Sequence, residues 1–172
     1  MLSEKLHKAL NDQMNFEFYS AHAYLAMAAY CTDDSYDGFA NFFLVQAEEE
    51  RFHAMKFYNF LNDMGYRATI SNFAEYEPIH NDFTSILDAF EKALAHEKVV
   101  TKRIYNLEDI ALDEREHATR AFLKWFIDEQ VEEESTFDTY ITRIRRVQDD
   151  LNALDRLDLE MATRTFTPDS QA

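Results

Sequence analysis

Residues 49–53 read EERFH and residues 129–133 read EQVEE, and the fold turns on where these two stretches sit. Each carries polar residues at i and i+3, Glu50 with His53 and Gln130 with Glu133. That spacing projects both side chains from one face of a helix. Moving outward, Glu17 lies 33 residues before Glu50, and Glu97 lies 33 residues before Gln130. Each half of the chain therefore reads as a helix with one inward Glu, then a helix with an inward polar pair. Two such hairpins folded together make one carboxylate-rich layer, a known way for a helical bundle to hold two metal ions.

The alternating 4, 3 spacing of a bundle seam runs through each predicted helix. It passes through Leu10, Met14, Glu17, Ala21, Tyr24, Ala28 and Cys31 in the first, and through Phe43, Gln46, Glu50, His53, Phe57, Phe60 and Met64 in the second. In the third it takes Phe90, Leu94, Glu97, Thr101 and Ile104; in the fourth, Leu123, Phe126, Gln130, Glu133, Phe137, Tyr140 and Ile144. The seams are apolar at their ends and polar near their midpoints. Midpoints meet at one level whichever way the helices run, so the six polar residues are expected to share a layer.

Composition supports a helical reading. The 172 residues include only two Gly and two Pro, with 15% aromatic residues, which favours long packed helices over sheets with many turns. The chain is read as a single all-α domain over 1–172, large enough to bury a core. A net charge of -16 argues against nucleic acid or an anionic membrane as partner and suits the collection of cations. One cysteine, Cys31, excludes an intramolecular disulfide and any four-Cys metal site, and is read as core. The start MLSEKLHKAL is not a signal peptide and no run approaches the length of a membrane span, so a cytoplasmic chain is expected.

Four long helices are expected at about 3–31, 35–64, 83–111 and 118–147, with a short one at about 149–162 and a loose tail after Thr165. Ser3 is the expected first N-cap, and Gly65 stops the second helix. Short connections make the first and second helices antiparallel neighbours, and likewise the third and fourth. Residues 66–82 lack a helical stripe and contain Pro78. Seventeen extended residues span at most about 56–61 Å, enough to travel the length of a bundle. They are read as one long crossover that sets the second and third helices parallel.

Energetics turn the polar layer into a site. A buried carboxylate costs several kcal/mol when charged, or stays protonated. No Lys or Arg occupies the seams at that level, whereas two divalent cations would balance the four carboxylates. An oxygen-rich donor set with one imidazole suits iron or manganese better than a closed zinc site. Tyr24, two turns beyond Glu17 on the same face, is either a core tyrosine or a hydrogen-bond partner and electron donor. Trp125 is read first as packing. Glu49, Glu129 and Glu132 flank the seam and are either a solvated acidic face or an outer third cation site. The connection Asp113, Glu114, Glu116 and His117 is read as ordinary loop, or as a cation entry pore if the chain forms a shell. His22 and His96 lie off the seam and are read as surface or edge residues.

The pattern of Glu17, Tyr24, EERFH at 49–53, Glu97 and WFIDEQVEE at 125–133 resembles the non-haem bacterial ferritins. The likeness extends over nearly the whole chain and includes NDQMNFEFYSAHAYLAMAAYC at 11–31, well beyond the acidic positions. It implies a ferritin-like four-helix bundle with one long crossover and a short fifth helix. It also implies a first iron at Glu17, Glu50 and His53, with Glu50 bridging to a second iron at Glu97, Glu133 and Gln130. Glu49, Glu129 and Glu132 would correspond to a third iron site. The resemblance further implies a homo-oligomeric shell of 24 subunits in which Fe(II) is oxidised by O2 or H2O2 and stored as ferric mineral. Bacterioferritins carry a second E-x-x-H on the fourth helix where this chain has Gln130 and Glu133, and a haem-ligating Met where it has Arg51, so no haem is expected. The alternatives are a non-storage di-iron oxidase or peroxidase, and a helical assembly with structural metal.

Overall fold

The computed structural model describes residues 2–168. Among these residues five helices and no strands form: α1 (Glu4–Asp33), α2 (Asp37–Asp63), α3 (Ile86–Asp113), α4 (His117–Val147) and α5 (Leu151–Met161). Ser3 caps α1 as expected, its Oγ accepting from the Leu6 amide at 3.0 Å. The expected start of α3 near residue 83 is three positions early. Ser85 Oγ accepts from the Asp88 amide at 3.0 Å, and Asp88 accepts in return from the Thr84 amide at 3.0 Å. This reciprocal cap sets the first turn at Ile86.

α1 and α3 each end two residues beyond expectation, and in the same way. The amides of Ser35 and Tyr36 close onto the carbonyls of Thr32 and Cys31 at 3.0 and 2.9 Å. Those of Arg115 and Glu116 close onto Leu112 and Ala111 at 3.1 and 2.8 Å. Both are Schellman turns, with a left-handed residue at the corner: Ser35 at φ 62° and Arg115 at φ 55°. α2 ends in the same turn with Gly65 at φ 81°, where glycine carries no steric penalty. Ser35 and Arg115 lie 80 positions apart, as do Glu17 and Glu97, Glu50 and Gln130, and His53 and Glu133. The two hairpins are one plan used twice. The second connection also does a capping job: Glu116 accepts from the Thr119 amide at 2.7 Å and starts α4.

Residues 64–85 form the expected crossover, without helix. It is laid along α1. Tyr66 bonds the Leu2 carbonyl, Asn11 and Asn15 bond the backbone of residues 69 and 71, Phe73 meets Tyr19 and His22, and Phe83 meets Tyr30. The chain thus returns to the end where α2 begins, and α3 starts there: Phe90 packs against Phe39, Phe42 and Phe43. α2 and α3 are therefore parallel.

Two apolar clusters fill the bundle, one on each side of the polar midlevel. One is built on Phe39, Phe42, Phe43, Phe90 and Phe137, the other on Leu6, Leu10, Phe57, Ile104 and Phe126. The seam holds across both, loosening only at Phe60, Met64, Leu94, Thr101 and Tyr140, which are half-buried. Cys31 is core, and burial pushes its thiol up to about 12.

α5 closes the α2 end of the bundle. A Cβ on Gly38 would lie 1.7 Å from the Asp158 carbonyl oxygen, so only glycine permits this approach. Tyr36 gives α2 no side-chain cap; Asp158 supplies it from α5, its Oδ1 accepting from the Phe39 amide at 2.8 Å. Residues 164–168 are non-helical but held. Arg164 bonds Gln46 and Glu49 just ahead of the tail expected to be loose after Thr165, and within that tail Phe166 packs on Phe52. The remainder of that expectation falls on residues outside those described. Among the described residues no helix is long and apolar enough to cross a membrane.

Candidate metal centre

The four long helices bring all six polar seam residues to one level. Glu17 comes from α1, Glu50 and His53 from α2, Glu97 from α3, and Gln130 and Glu133 from α4. None is more than 4% exposed, so the layer is closed to bulk water by the apolar clusters above and below it.

Glu17, Glu50 and His53 offer ligand atoms that all lie within 4.8 Å of one another, a spacing one metal ion can span. His53 Nδ1 faces Glu50 Oε2 at 3.6 Å, and its Nε2 faces Glu129 Oε1 at 4.0 Å. Burial, with help from the Lys56 charge, lowers the His53 pKa to about 3. The ring is therefore neutral at pH 7, the form that binds metal. Trp125 stands edge-on to it at 5.4 Å, with Lys56 4.1 Å from the indole centre. That is the packing role read for Trp125.

On the opposite side Glu97 is the most heavily bonded carboxylate. Tyr24 donates its hydroxyl to Oε1, and Gln130 Nε2 donates to Oε2 at 3.0 Å. Tyr24 is thus fully buried and hydrogen-bonded to the layer, not a plain core tyrosine. Burial and the charges of Glu97, Glu50 and Glu133 hold its own proton on, well above the usual phenol range.

The carboxylates are not neutralised by cations within the layer. Burial raises Glu17, Glu50, Glu97 and Glu133 above the ordinary carboxyl range, Glu97 to about 7. Mutual charge pushes Glu50 and Glu133 further up, with Glu97 the strongest neighbour in both cases. Two of their oxygens, Glu17 Oε2 and Glu50 Oε2, are buried without a hydrogen-bond partner among the described residues. Orphaned buried carboxylate oxygens beside a neutral imidazole are the donor set a divalent cation satisfies.

Two residues of the layer were given no role by the sequence, Gln46 although it lies on the seam and Gln13 because it lies beside it. Gln13 and Gln46 each stand one turn before a seam Glu, and both are buried. Gln13 Nε2 donates to Glu17 Oε1 at 2.8 Å; Gln46 Nε2 reaches across to Glu133 Oε2 at 3.0 Å. A Gln at i−4 from each seam Glu of the first hairpin was the available signal.

Glu49, Glu129 and Glu132 lie just outside the layer. They line an open cavity of about 310 Å3 with His53, Trp125 and residues 165–167. Glu49 already bonds Arg164 at 2.9 Å, and Glu132 is exposed. His96 is half-buried, its Nε2 2.7 Å from Ser20 Oγ, and burial lowers its pKa to about 4; His22 is exposed.

Residues 7–147 match the family model described as a ferritin-like domain. A bacterial non-haem ferritin of Staphylococcus aureus is 53% identical over 166 residues, covering 96% of this chain and 98% of its own. One from Staphylococcus haemolyticus is 52% identical over the same length and coverage. Among solved structures, an engineered closed form of the Archaeoglobus fulgidus ferritin superposes with a TM-score of 0.93 at 41% identity, covering 97% of this chain and 100% of that one. The open-pore ferritin of the same archaeon gives 0.92 at 40% identity, covering 96% and 100%. Bundle, crossover, buried layer and these likenesses agree: the chain belongs to the ferritin family and stands with its bacterial non-haem members.

Proposed function

We propose that this chain stores iron: it takes up Fe(II) as substrate at the paired carboxylate site, oxidises it, and passes Fe(III) to a mineral held inside a shell of identical subunits. One observation carries the reading most: four buried carboxylates, one neutral histidine and two orphaned carboxylate oxygens converge at one level without a cation among them. Glu17, Glu50 and His53 form the first position. Glu50, Glu97 and Glu133, with Gln130, form the second. Each Fe(II) gives up one electron, so a pair supplies the two that O2 or H2O2 accepts. The protein provides ligand geometry and charge balance, and its carboxyl groups release protons as the metal enters.

Tyr24 is the catalytic candidate, since its hydroxyl touches a ligand carboxylate. Gln130, an amide where the first hairpin has Glu50, makes the second position weaker, and release of product from a weak position suits storage. Glu49, Glu129 and Glu132 suit a third iron stop between pair and cavity. Exposed Ile70 (63%), Leu151 (69%) and Leu159 (70%) favour a homo-oligomer, which we read as the 24-subunit shell that the resemblance implies, in the cytoplasm.

The test is aerobic Fe(II) loading of purified apoprotein at many times two ions per chain. Ferric iron far above the site count, co-eluting with a very large particle, is the expected result. Oxidation that stops near two irons per chain on a small species would make the same ligands those of a non-storage di-iron oxidase or peroxidase.

A further inference from the structure

Two arginines outside the buried layer reach it through Gln13 and Gln46. Arg103, on α3, donates from Nε to Gln13 Oε1 at 2.9 Å, and Gln13 Nε2 donates onward to Glu17 Oε1 at 2.8 Å. Arg164, in the segment after α5, donates from Nη2 to Gln46 Oε1, and Gln46 Nε2 donates onward to Glu133 Oε2 at 3.0 Å. Both runs have the same order: guanidinium, amide, carboxylate.

The order has a chemical reason. An amide has an accepting end and a donating end, and a guanidinium only donates. An arginine at the oxygen of the amide therefore turns its NH2 toward the carboxylate. Without it the amide is free to rotate and set its oxygen against the carboxylate. Each relay also brings a positive charge to within one side chain of the layer without admitting a cation into it. Each pins one oxygen of its carboxylate, Glu17 Oε1 or Glu133 Oε2, and leaves the other for a metal.

The arginines are themselves anchored. Arg103 bonds Asp12 Oδ2 at 2.5 Å and lies 4.0 Å from the centre of the Phe16 ring. Arg164 bonds Glu49 at 2.9 Å and the Phe42 carbonyl at 3.3 Å, and lies 4.2 Å from the centre of the Phe42 ring. The two relays end on different halves of the pair: one on the Glu17, Glu50 and His53 position, the other on the Glu97 and Glu133 position.

We propose that Arg103 and Arg164 are positioning residues, acting through Gln13 and Gln46, and that each sets the affinity of one metal position and not the other. This rests on the metal-site reading above. Outer hydrogen-bond partners of metal ligands change affinity by about 10- to 100-fold when removed.

The experiment is Co(II) titration of the assembled apoprotein, with the two binding steps assigned by Glu17→Ala and Glu133→Ala. Arg164→Met is expected to weaken the Glu133 step about 10-fold and leave the Glu17 step in place; Arg103→Met does the reverse. Arg164→Met added to Gln46→Met should cost little more than Gln46→Met alone, because the arginine acts through the amide. Arg164→Lys should recover part of the loss. Losses that add in full, or arginine variants that weaken both steps alike, overturn the proposal. If Arg164→Met does not assemble, Gln46→Glu asks the same question, since it still meets Arg164 but offers Glu133 no donor; an unchanged Glu133 step then overturns it. Failure of the wild type to hold a pair of Co(II) ions would sink the metal reading instead. The relay is then judged by neutron crystal structures of wild type and Arg164→Met, which place the amide hydrogens: a turned Gln46 amide sustains it, an unturned one ends it.

Discussion

The α1–α2 and α3–α4 hairpins share a ground plan and differ in chemistry. Both connections turn through a left-handed non-glycine residue, both place a Glu at the middle of the leading helix, and matching positions lie 80 residues apart. Yet the first hairpin offers Glu50 and His53 where the second offers Gln130 and Glu133. The first also has its outer face covered by the crossover, through Asn11, Asn15 and Tyr76. A repeated scaffold thus carries an unrepeated site. Symmetry of backbone sets where the ligands meet, and the exchange of a carboxylate for an amide sets how firmly each half holds its metal under the proposed reading.

The comparison breaks most severely at Glu50, which under the proposed reading serves both halves. Glu50→Ala should slow Fe(II) oxidation by about 100-fold or more, since it removes a direct ligand where outer partners alone are worth 10- to 100-fold. Stopped-flow oxidation checks this, with size-exclusion chromatography showing that assembly survives; normal oxidation would remove Glu50 from the site.

Glu97 is one of the buried groups through which the apoprotein senses pH, beside Glu17, Glu50, Glu133, His53 and His96. Burial holds its carboxyl at about 7, above the ordinary 4.5 of an unfolded chain. Between those values the folded state binds the extra proton, so the contribution of Glu97 to stability falls as pH rises from about 4.5 through about 7. Glu97→Gln cannot titrate and should escape this loss. The difference in unfolding free energy between wild type and variant should widen in the variant's favour by up to about 3 kcal/mol across that window. Thermal or denaturant unfolding of the metal-free proteins at several pH values measures it, and a constant difference would place the Glu97 carboxyl in the ordinary range.

Making the second hairpin more like the first is a smaller change. Gln130→Glu supplies the missing carboxylate and should tighten the second metal about 10-fold while slowing release of the oxidised product. Metal titration and single-turnover kinetics report the two halves of that expectation. Smallest of all, Arg115→Gly relieves a left-handed residue at the α3–α4 turn and should add up to about 1 kcal/mol to unfolding stability. Ser35→Gly should do the same at the α1–α2 turn, and unequal gains would show that the two turns are not equivalent in strain.

The seam and its six polar residues were legible because a helix repeats every 3.6 residues and burial follows that repeat. Glu17, Glu50, His53, Glu97, Gln130 and Glu133 all fall where the count placed them, at helix midpoints. The crossover was legible from reach and composition. Helix ends were less so: the Ser85 and Asp88 pair stands beside the apolar Ile86, Ala89 and Phe90, but Asn81 and Thr84 offered competing starts for α3. What the sequence could not show were pairings made by the fold alone. Arg103 meets Gln13 across 90 residues, Arg164 meets Gln46 across 118, and Asp158 meets Phe39 across 119. Such partners share no spacing rule. A hydrophilic tail with one Arg and one Phe reads as loose until the surface that receives it has been built.

The cap that Asp158 gives to α2 has a consequence for synthesis on the ribosome. The first hairpin emerges complete in sequence, yet the start of α2 lacks its side-chain acceptor until Asp158 has been translated, 119 residues after Phe39. The first turn of α2 therefore stays without its side-chain cap until the last helix has been made. Chains truncated before Asp158 would retain every residue of the buried layer and still leave the first turn of α2 uncapped.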